Sequence, residues 1–268
     1  MDANLSSRLV TAAVGIPLLV GFVGWSPPWL FSTFFFILVL EALREYFTIV
    51  FPSDWRERWM GIIFGLCLSG AVFLDSSVDP LVWLNIVLLI AFSLYLFAGG
   101  QLADRFRHLA IALLGAVYLG YFFPHWVLLF QLPNGRGWVF WVLCVVMVGD
   151  TVAYFIGRHF GRRKLAAELS PGKTIAGAWG YIVGAVVAGV GGGALLALSI
   201  HWAEIVALSL ALSVLAQIGD LFESWIKRVF NVKDSGRLLP GHGGLLDRID
   251  SLVFPAVFTT AYLRVFHP

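Results

Sequence analysis

The chain has 268 residues, of which 59% are hydrophobic and 13% are charged, and its formal net charge is +2. A water-soluble domain carries about 25% charged residues, so this composition excludes an ordinary soluble fold. A helix that crosses the hydrocarbon layer needs roughly 20 mostly apolar residues, and many apolar runs of this chain approach that length. The sequence therefore predicts a polytopic membrane protein.

Nine apolar runs are candidate transmembrane spans. They cover residues 8–25, 29–47, 59–74, 80–99, 108–131, 138–157, 176–200, 203–226 and 251–266. Because backbone amides in lipid must pair within their own segment, we expect an all-α bundle of about nine transmembrane helices. The first run lacks an obvious small-residue cleavage site and is expected to remain as a span. The fifth contains Pro124, which predicts a bent helix or two short pieces.

The basic residues predict the orientation of these spans. Cytosolic loops are enriched in Lys and Arg. Of the 18 Lys and Arg residues, all but Arg136 and Arg264 fall on the face that carries the N-terminus. We therefore expect a cytosolic N-terminus, an external C-terminus and a bacterial-type inner (plasma) membrane location.

The polar residues divide the chain loosely into two parts. Residues 1–137 are expected to form N-terminal transmembrane helices with little unusual chemistry. Residues 138–268 are expected to form the catalytic transmembrane helices and cytosolic loops, since they hold most of the polar groups that are unfavourable in lipid. The glycine-rich run 184–193 is expected to serve close helix packing rather than catalysis.

Two spans carry an aspartate about two turns before their cytosolic ends, Asp150 and Asp220. Ionisable groups within spans are costly and tend to mark function. At helical spacing, Asp220, Ser224 and Lys227 or Arg228 share one face of their helix. This pattern predicts a polar site at the cytosolic ends of the helices.

The last span adds two further carboxylates, Asp247 and Asp250, which are three residues apart and share a helix face. The alternative is that all four aspartates are helix-end charges that reach the membrane interface. Convergence of four aspartates with glycine-rich loops favours a site, which we expect to face the cytosol.

Two loops are predicted to bind phosphate. In Gly241–Gly244, glycines around His242 allow close approach of the backbone to a ligand, and amides at a helix N-terminus favour phosphate. His242 could act as a general base or a metal ligand, although the role of a hydrogen-bond donor to phosphate or of a loop organiser is favoured. The loop Ser170–Thr174 offers Lys173, but it is not a Walker A loop. The remaining candidate groups for phosphate or nucleotide are Ser224, Lys233, Gly243, Gly244 and Arg248, with Arg237 as a further cation.

Hard oxygen ligands beside phosphate-binding groups imply Mg²⁺, which typically takes one or two carboxylates together with waters and substrate phosphates. The candidate ligands are Asp150, Asp220, Asp247 and Asp250. The sequence leaves open whether a monovalent cation assists.

Three consecutive runs then resemble the signature of phosphatidate cytidylyltransferases, also called CDP-diacylglycerol synthases. They are Ser224–Arg228, Lys233–Gly236 and Leu239–Asp250. The resemblance extends back through 217–224, 170–174 and 150–158, so it covers the C-terminal half. One departure is Ala176, where many members have glutamate.

The resemblance implies an enzyme that converts CTP and phosphatidate into CDP-diacylglycerol and pyrophosphate. It also implies a metal pair held by Asp220 and Asp247. We expect catalytic roles for Asp220, Asp247, Lys227, Arg228 and His242. The expected partners are CTP, phosphatidate and the lipid bilayer, with no nucleic acid, and a homodimer remains open.

Two alternatives remain from the residues alone. One is another CTP-dependent membrane lipid enzyme, such as a polyprenol or phytol kinase, which would release CDP instead of pyrophosphate. The other is a membrane transporter, which also uses carboxylates within the membrane but does not need a glycine-rich loop among cytosolic cations.

Overall fold

The computed structural model describes Gly15 and residues 17–73, 79–236 and 243–267. Residues 17–25 are helical and are labelled α1. The elements that follow are α2 (Pro28–Val50), α3 (Trp55–Phe73), α4 (Pro80–Phe97), α5 (Leu102–Gly115), a π-helix (Ala116–Phe122), α6 (His125–Gln131), α7 (Gly135–Phe160), β1 (Lys164–Ala166), β2 (Ser170–Thr174), α8 (Ile175–Leu195), α9 (Trp202–Val229) and α10 (Leu246–Phe266). The helical bundle is confirmed, and the antiparallel β1–β2 hairpin is an addition that the sequence did not predict.

Five helical segments in the described part of the chain are long and apolar enough to cross a membrane. They are Leu102–Gln131, Gly135–Phe160, Ile175–Leu195, Trp202–Val229 and Leu246–Phe266. Helix α4 is apolar but shorter, and α2 carries three charged residues near its C-terminal end. The predicted runs 8–25 and 59–74 lie partly outside the described residues. The protein is thus an all-α, multi-pass membrane bundle.

The segment from Leu102 to Gln131 is interrupted at the place where the sequence predicted a bend. Helix α5 passes into the π-helix, a turn follows at residues 123–124, and α6 begins after Pro124. Proline has no N–H and cannot continue the helical hydrogen-bond ladder. His125 Nδ1 lies 2.9 Å and 3.0 Å from the carbonyl oxygens of Tyr121 and Phe122, so the interruption is compensated locally.

Helices α7 and α8 form the most extensive helix pair. A Cβ added at Gly184 would lie 2.8 Å from the side chain of Val152 on α7, and one at Gly189 would lie 1.9 Å from Ser209 Oγ on α9. Any larger residue would separate these helices. The prediction that the glycine-rich run serves close packing is confirmed.

The two halves of the chain share one core. Tyr118, on the π-helix, packs its ring at 5.0 Å from Phe222 of α9 and 5.7 Å from Phe254 of α10. Within the N-terminal half, Phe31 of α2 stacks on Phe130 of α6 at 4.0 Å. The N-terminal helices therefore support the helices that carry most of the predicted site.

Candidate active site

A cleft of about 590 Å³ opens between the C-terminal half of α7, the β1–β2 hairpin, the start of α8 and the middle of α9. Its polar lining includes Asp150, Arg158, Lys164, Lys173 and Asp220. Apolar groups line the same cleft, among them Ala153, Leu165 and Ala178. The cleft can therefore accept a ligand with both charged and apolar parts.

The hairpin is held beside α7 by a helix cap and two glycines. Thr174, the last residue of β2, caps α8 by accepting a hydrogen bond on Oγ1 from the Gly177 amide at 3.1 Å. A Cβ at Gly161 would lie 2.5 Å from this same Thr174 oxygen, and a Cβ at Gly157 would lie 3.1 Å from it. Gly157 of α7 and Gly161 directly after it thus let the capped start of α8 approach, which brings Lys173 to the cleft.

Lys173 pairs with Asp220 across the cleft. Its Nζ lies 2.6 Å from Asp220 Oδ2, and the two side chains keep 23% and 31% of their surface exposed. Asp150 lines the same cleft and lies within electrostatic range of both groups. One ammonium therefore lies among two carboxylates, and the cleft lining also carries the cations Arg158 and Lys164.

A second polar cluster lies further along α9, around Lys227. Its Nζ contacts Glu223 Oε2 at 2.5 Å and Asp247 Oδ1 at 2.6 Å. The Glu223 side chain is fully buried, and those of Lys227 and Asp247 are each 13% exposed. Because buried charges must be paired, this cluster fixes the relative placement of α9 and α10.

Asp247 is held on its other oxygen by the polypeptide backbone. Oδ2 accepts hydrogen bonds from the amides of Ser235 at 3.0 Å and Gly244 at 2.9 Å. The carboxylate therefore joins the loop before α10 to Lys227. Its oxygens accept from two backbone amides and the Lys227 ammonium, and the Ser235 hydroxyl lies 3.0 Å from Oδ2.

Asp250 is nearly buried and lies within electrostatic range of Asp220. Helices α9 and α10 approach closely beside it, since a Cβ at Gly219 would lie 2.3 Å from the Asp250 carbonyl oxygen. The structure thus brings Asp150 and Asp250 near Asp220, while Asp247 belongs to the Lys227 cluster.

The other residues predicted for the site include groups near the Asp220 cleft and the Lys227 cluster. Ser224 is nearly buried on α9, and Arg228 donates from Nε to the Leu169 carbonyl oxygen at 3.2 Å, which ties α9 to the hairpin. Lys233 and Arg248 are exposed. His242 and Arg237 lie outside the described residues, so their predicted roles stay predictions.

The amides at the start of α10 are hydrogen-bonded within the protein. Gly243 has a positive φ of 80°, as expected for a loop that needs glycine. The Gly244 amide donates to Asp247, and the amides of Leu245 and Leu246 donate to Glu45. These groups, which we expected to face phosphate, therefore bind carboxylates of the chain itself. The role of Gly243 and Gly244 toward a nucleotide stays a prediction.

Sequence reasoning missed two acidic residues. Glu223 follows Asp220 by three residues and precedes Lys227 by four, a spacing that favours an ion pair on a helix and could have revealed it. Glu45 lies in α2, within the half of the chain that we expected to hold little unusual chemistry. A charged residue within an apolar helix was the signal available for it.

The carboxylates of the cleft are the donors available for the Mg²⁺ that the sequence implies. Within the described ranges, no three Asp, Glu, His or Cys side chains are grouped closely enough to hold a metal ion by themselves. Mg²⁺ is usually bound through one or two carboxylates, with substrate phosphates completing its shell. Asp150 and Asp220, which face one cleft with oxygen donors, fit that pattern. The Lys173 ammonium lies beside Asp220, where a bound Mg²⁺ would also lie.

Comparisons with known proteins agree with the motifs. The profile of the cytidylyltransferase family matches residues 6–266. The chain is similar to proteins named phosphatidate cytidylyltransferase from Bacillus subtilis (40% identical over 60% of this chain and 60% of the relative) and from Brucella abortus (47% over 50% and 49%). It is also similar to the protein of that name from Staphylococcus haemolyticus (30% over 95% of each). The matched segments thus span about half to three fifths of the first two relatives.

Proposed function

Because the chain belongs to the cytidylyltransferase family, we propose that it transfers the cytidylyl group of CTP to phosphatidate in the membrane. The products would be CDP-diacylglycerol and pyrophosphate. The observation that carries the proposal is the placement of two lysine–aspartate pairs, Lys173–Asp220 and Lys227–Asp247, along one helix that borders a cleft. The three similar proteins bear the name of this activity.

The reaction needs positioning and charge neutralisation more than acid–base chemistry. A phosphate oxygen of phosphatidate forms a bond to the α-phosphorus of CTP, and the bond from that phosphorus to the bridging oxygen of pyrophosphate breaks. The attacking oxygen is already anionic at neutral pH, so no base is required to generate it. Holding the two anions in line against their repulsion is the main task of the protein.

The residues of the two clusters suit this task. Lys173 would neutralise phosphate charge within the cleft, and Lys227 would do so at the neighbouring cluster, each released in part from its aspartate when substrate binds. Arg228, Lys233 and Arg248 would add positive charge around the same end of α9 and α10. The apolar lining of the cleft would accept the first part of the acyl chains of the lipid.

Asp220 and Asp150 would hold Mg²⁺, with Asp250 close behind them and Asp247 as the ligand implied by the family resemblance. When bound, Mg²⁺ supplies Lewis-acid stabilisation of negative charge on the reacting phosphates. The carboxylates would also orient Lys173 and Lys227, since each ammonium lies 2.6 Å from its aspartate. A contribution from a monovalent cation stays a prediction.

The proposed location follows from the distribution of charge. With nine spans and a cytosolic N-terminus, the clusters on α7, α9 and α10 would face the cytosol, where CTP is found, at an inner (plasma) membrane. Phosphatidate would enter from the bilayer. The homodimer stays a prediction, and no step of the reaction depends on it.

The test is an assay of the purified protein with CTP and phosphatidate, with and without Mg²⁺. Pyrophosphate and CDP-diacylglycerol should form with Mg²⁺, whereas CDP release would indicate a lipid kinase. Asp220→Asn should lower the rate at least ~100-fold, in the range of losses from removing one group that stabilises transition-state charge. Asp104→Asn is the matched control, because Asp104 is exposed and 3.9 Å from Arg107. Near-normal pyrophosphate release by folded Asp220→Asn protein would refute the assignment.

A further inference from the structure

Glu45, on helix α2, reaches into the loop that precedes α10. Its side chain is buried, with 3% of the residue exposed. Oε1 accepts a hydrogen bond from the Leu245 amide at 3.0 Å, and Oε2 accepts one from the Leu246 amide at 2.9 Å. Oε2 also lies 3.0 Å from Ser235 Oγ. The carboxylate thus binds both ends of the segment that leads into α10.

This placement favours both the Glu45 carboxylate and the amides at the start of α10. The first amides of a helix have no partner within the helix, and the N-terminus carries partial positive charge. A buried carboxylate without donors would be strongly unfavourable. Glu45 satisfies amides at the start of α10, and those amides offset the burial of its charge.

Ser235 connects Glu45 to Asp247. Its hydroxyl oxygen lies 3.0 Å from Glu45 Oε2 and 3.0 Å from Asp247 Oδ2, so its single proton can serve either carboxylate. The same oxygen accepts a hydrogen bond from the Asp247 amide at 3.3 Å. A displacement of Glu45 would therefore reach Asp247 through Ser235 as well as through the neighbouring amides of Leu245 and Leu246.

The glycines of the loop make room for this carboxylate. A Cβ at Gly236 would lie 2.3 Å from Glu45 Oε1, and its three nearest atoms all belong to Glu45. A Cβ at Gly244 would lie 2.5 Å from Glu45 Oε2. Both glycines belong to the run of residues that resembles the family signature. Their small size leaves room for Glu45, nearly 200 residues earlier in the chain, and at Gly244 also for Ser235.

We infer that Glu45 is a positioning residue of the active site, which holds Asp247 in place through Ser235 and the first amides of α10. The inference rests on the proposed function for its kinetic consequence, but the positioning itself can be measured separately. It assigns a part in the reaction to the N-terminal half of the chain.

The decisive variant is Glu45→Gln, with Glu41→Gln as the matched control. Glutamine keeps the size of the side chain but presents an NH₂ group to an amide donor on one side. Glu41 lies one turn earlier on α2 and pairs with Arg44 at 2.6 Å. Glu45→Gln should raise the KM for CTP about 10-fold or more, a change typical for partners that orient a ligand-binding side chain. A simple loss of folded protein would lower kcat and leave KM unchanged.

Hydrogen exchange provides a readout that does not depend on activity. The amides of Leu245 and Leu246 should exchange at least about 10-fold faster in Glu45→Gln than in Glu41→Gln, because each loses a charged acceptor. Should Glu45→Gln not fold, the same comparison is made between Glu45→Asp and Glu41→Asp, since aspartate is too short to reach both amides.

A double-mutant cycle tests the contact directly. Gly236→Ala should strongly reduce activity alone but add little to Glu45→Ala, because its clash is with Glu45. Unchanged exchange and KM in Glu45→Gln, or additive effects of Gly236→Ala and Glu45→Ala, would overturn the inference. Absence of pyrophosphate release by the unmodified protein would instead refute the proposed function, and the exchange rates would still decide the role of Glu45.

Discussion

Replacing Lys227 by methionine should destabilise the protein, because it leaves the buried Glu223 carboxylate and the partly buried Asp247 carboxylate without their cation. Methionine retains most of the side-chain volume, so the change removes charge rather than packing. In the native protein the ammonium lies 2.5 Å from Glu223 Oε2 and 2.6 Å from Asp247 Oδ1. Glu223 is fully buried, so water cannot replace the lost partner.

The expected loss is about 3–5 kcal/mol in the free energy of unfolding, the range found when one partner of a buried ion pair is removed. The same physics predicts recovery in the double variant Lys227→Met with Glu223→Gln, because the uncompensated charge is then gone. Asp247 keeps two backbone donors, the amides of Ser235 and Gly244, so it contributes less to the loss.

The measurement is denaturant-induced unfolding of the purified protein in detergent micelles, followed by tryptophan fluorescence. Arg107→Met is the control, since the Arg107–Asp104 pair is exposed and 3.9 Å long and should contribute little. A Lys227→Met variant as stable as Arg107→Met would contradict the expected loss of the buried ion pair. So would a double variant with Glu223→Gln that does not recover most of the lost stability.

Two further substitutions test how the cleft is built. Gly161→Ala should abolish activity, because the added Cβ would lie 2.5 Å from Thr174 Oγ1. Gly191→Ala is the control and should be tolerated, since no atom lies within 4 Å of its Cβ. Equal turnover by the two variants would contradict this prediction. Thr174→Ala should lower the free energy of unfolding by about 1 kcal/mol, because the Gly177 amide loses its cap. The same variant should raise the KM for CTP. Thr48→Ala, which removes an exposed hydroxyl on α2, is its control, and matching unfolding midpoints would argue against the cap.

The membrane character of the chain could be predicted from sequence because lipid acts as a uniform solvent. Apolar length and internal hydrogen bonding are local requirements, so runs of residues report them directly. The same locality let the helical period indicate that Asp220 and Lys227 share a face. It also let Pro124 predict the interruption between α5 and α6.

The partners of those residues were decided by tertiary structure. Local spacing placed Asp220 and Lys227 on α9. Packing of the hairpin against α9 brought Lys173 to Asp220, and packing of α10 brought Asp247 to Lys227. The sequence pointed to a phosphate site at the start of α10, where the amides of Leu245 and Leu246 instead bind Glu45. Which acceptor fills a helix N-terminus depends on a fold that joins positions about 200 residues apart, and no local period encodes that contact.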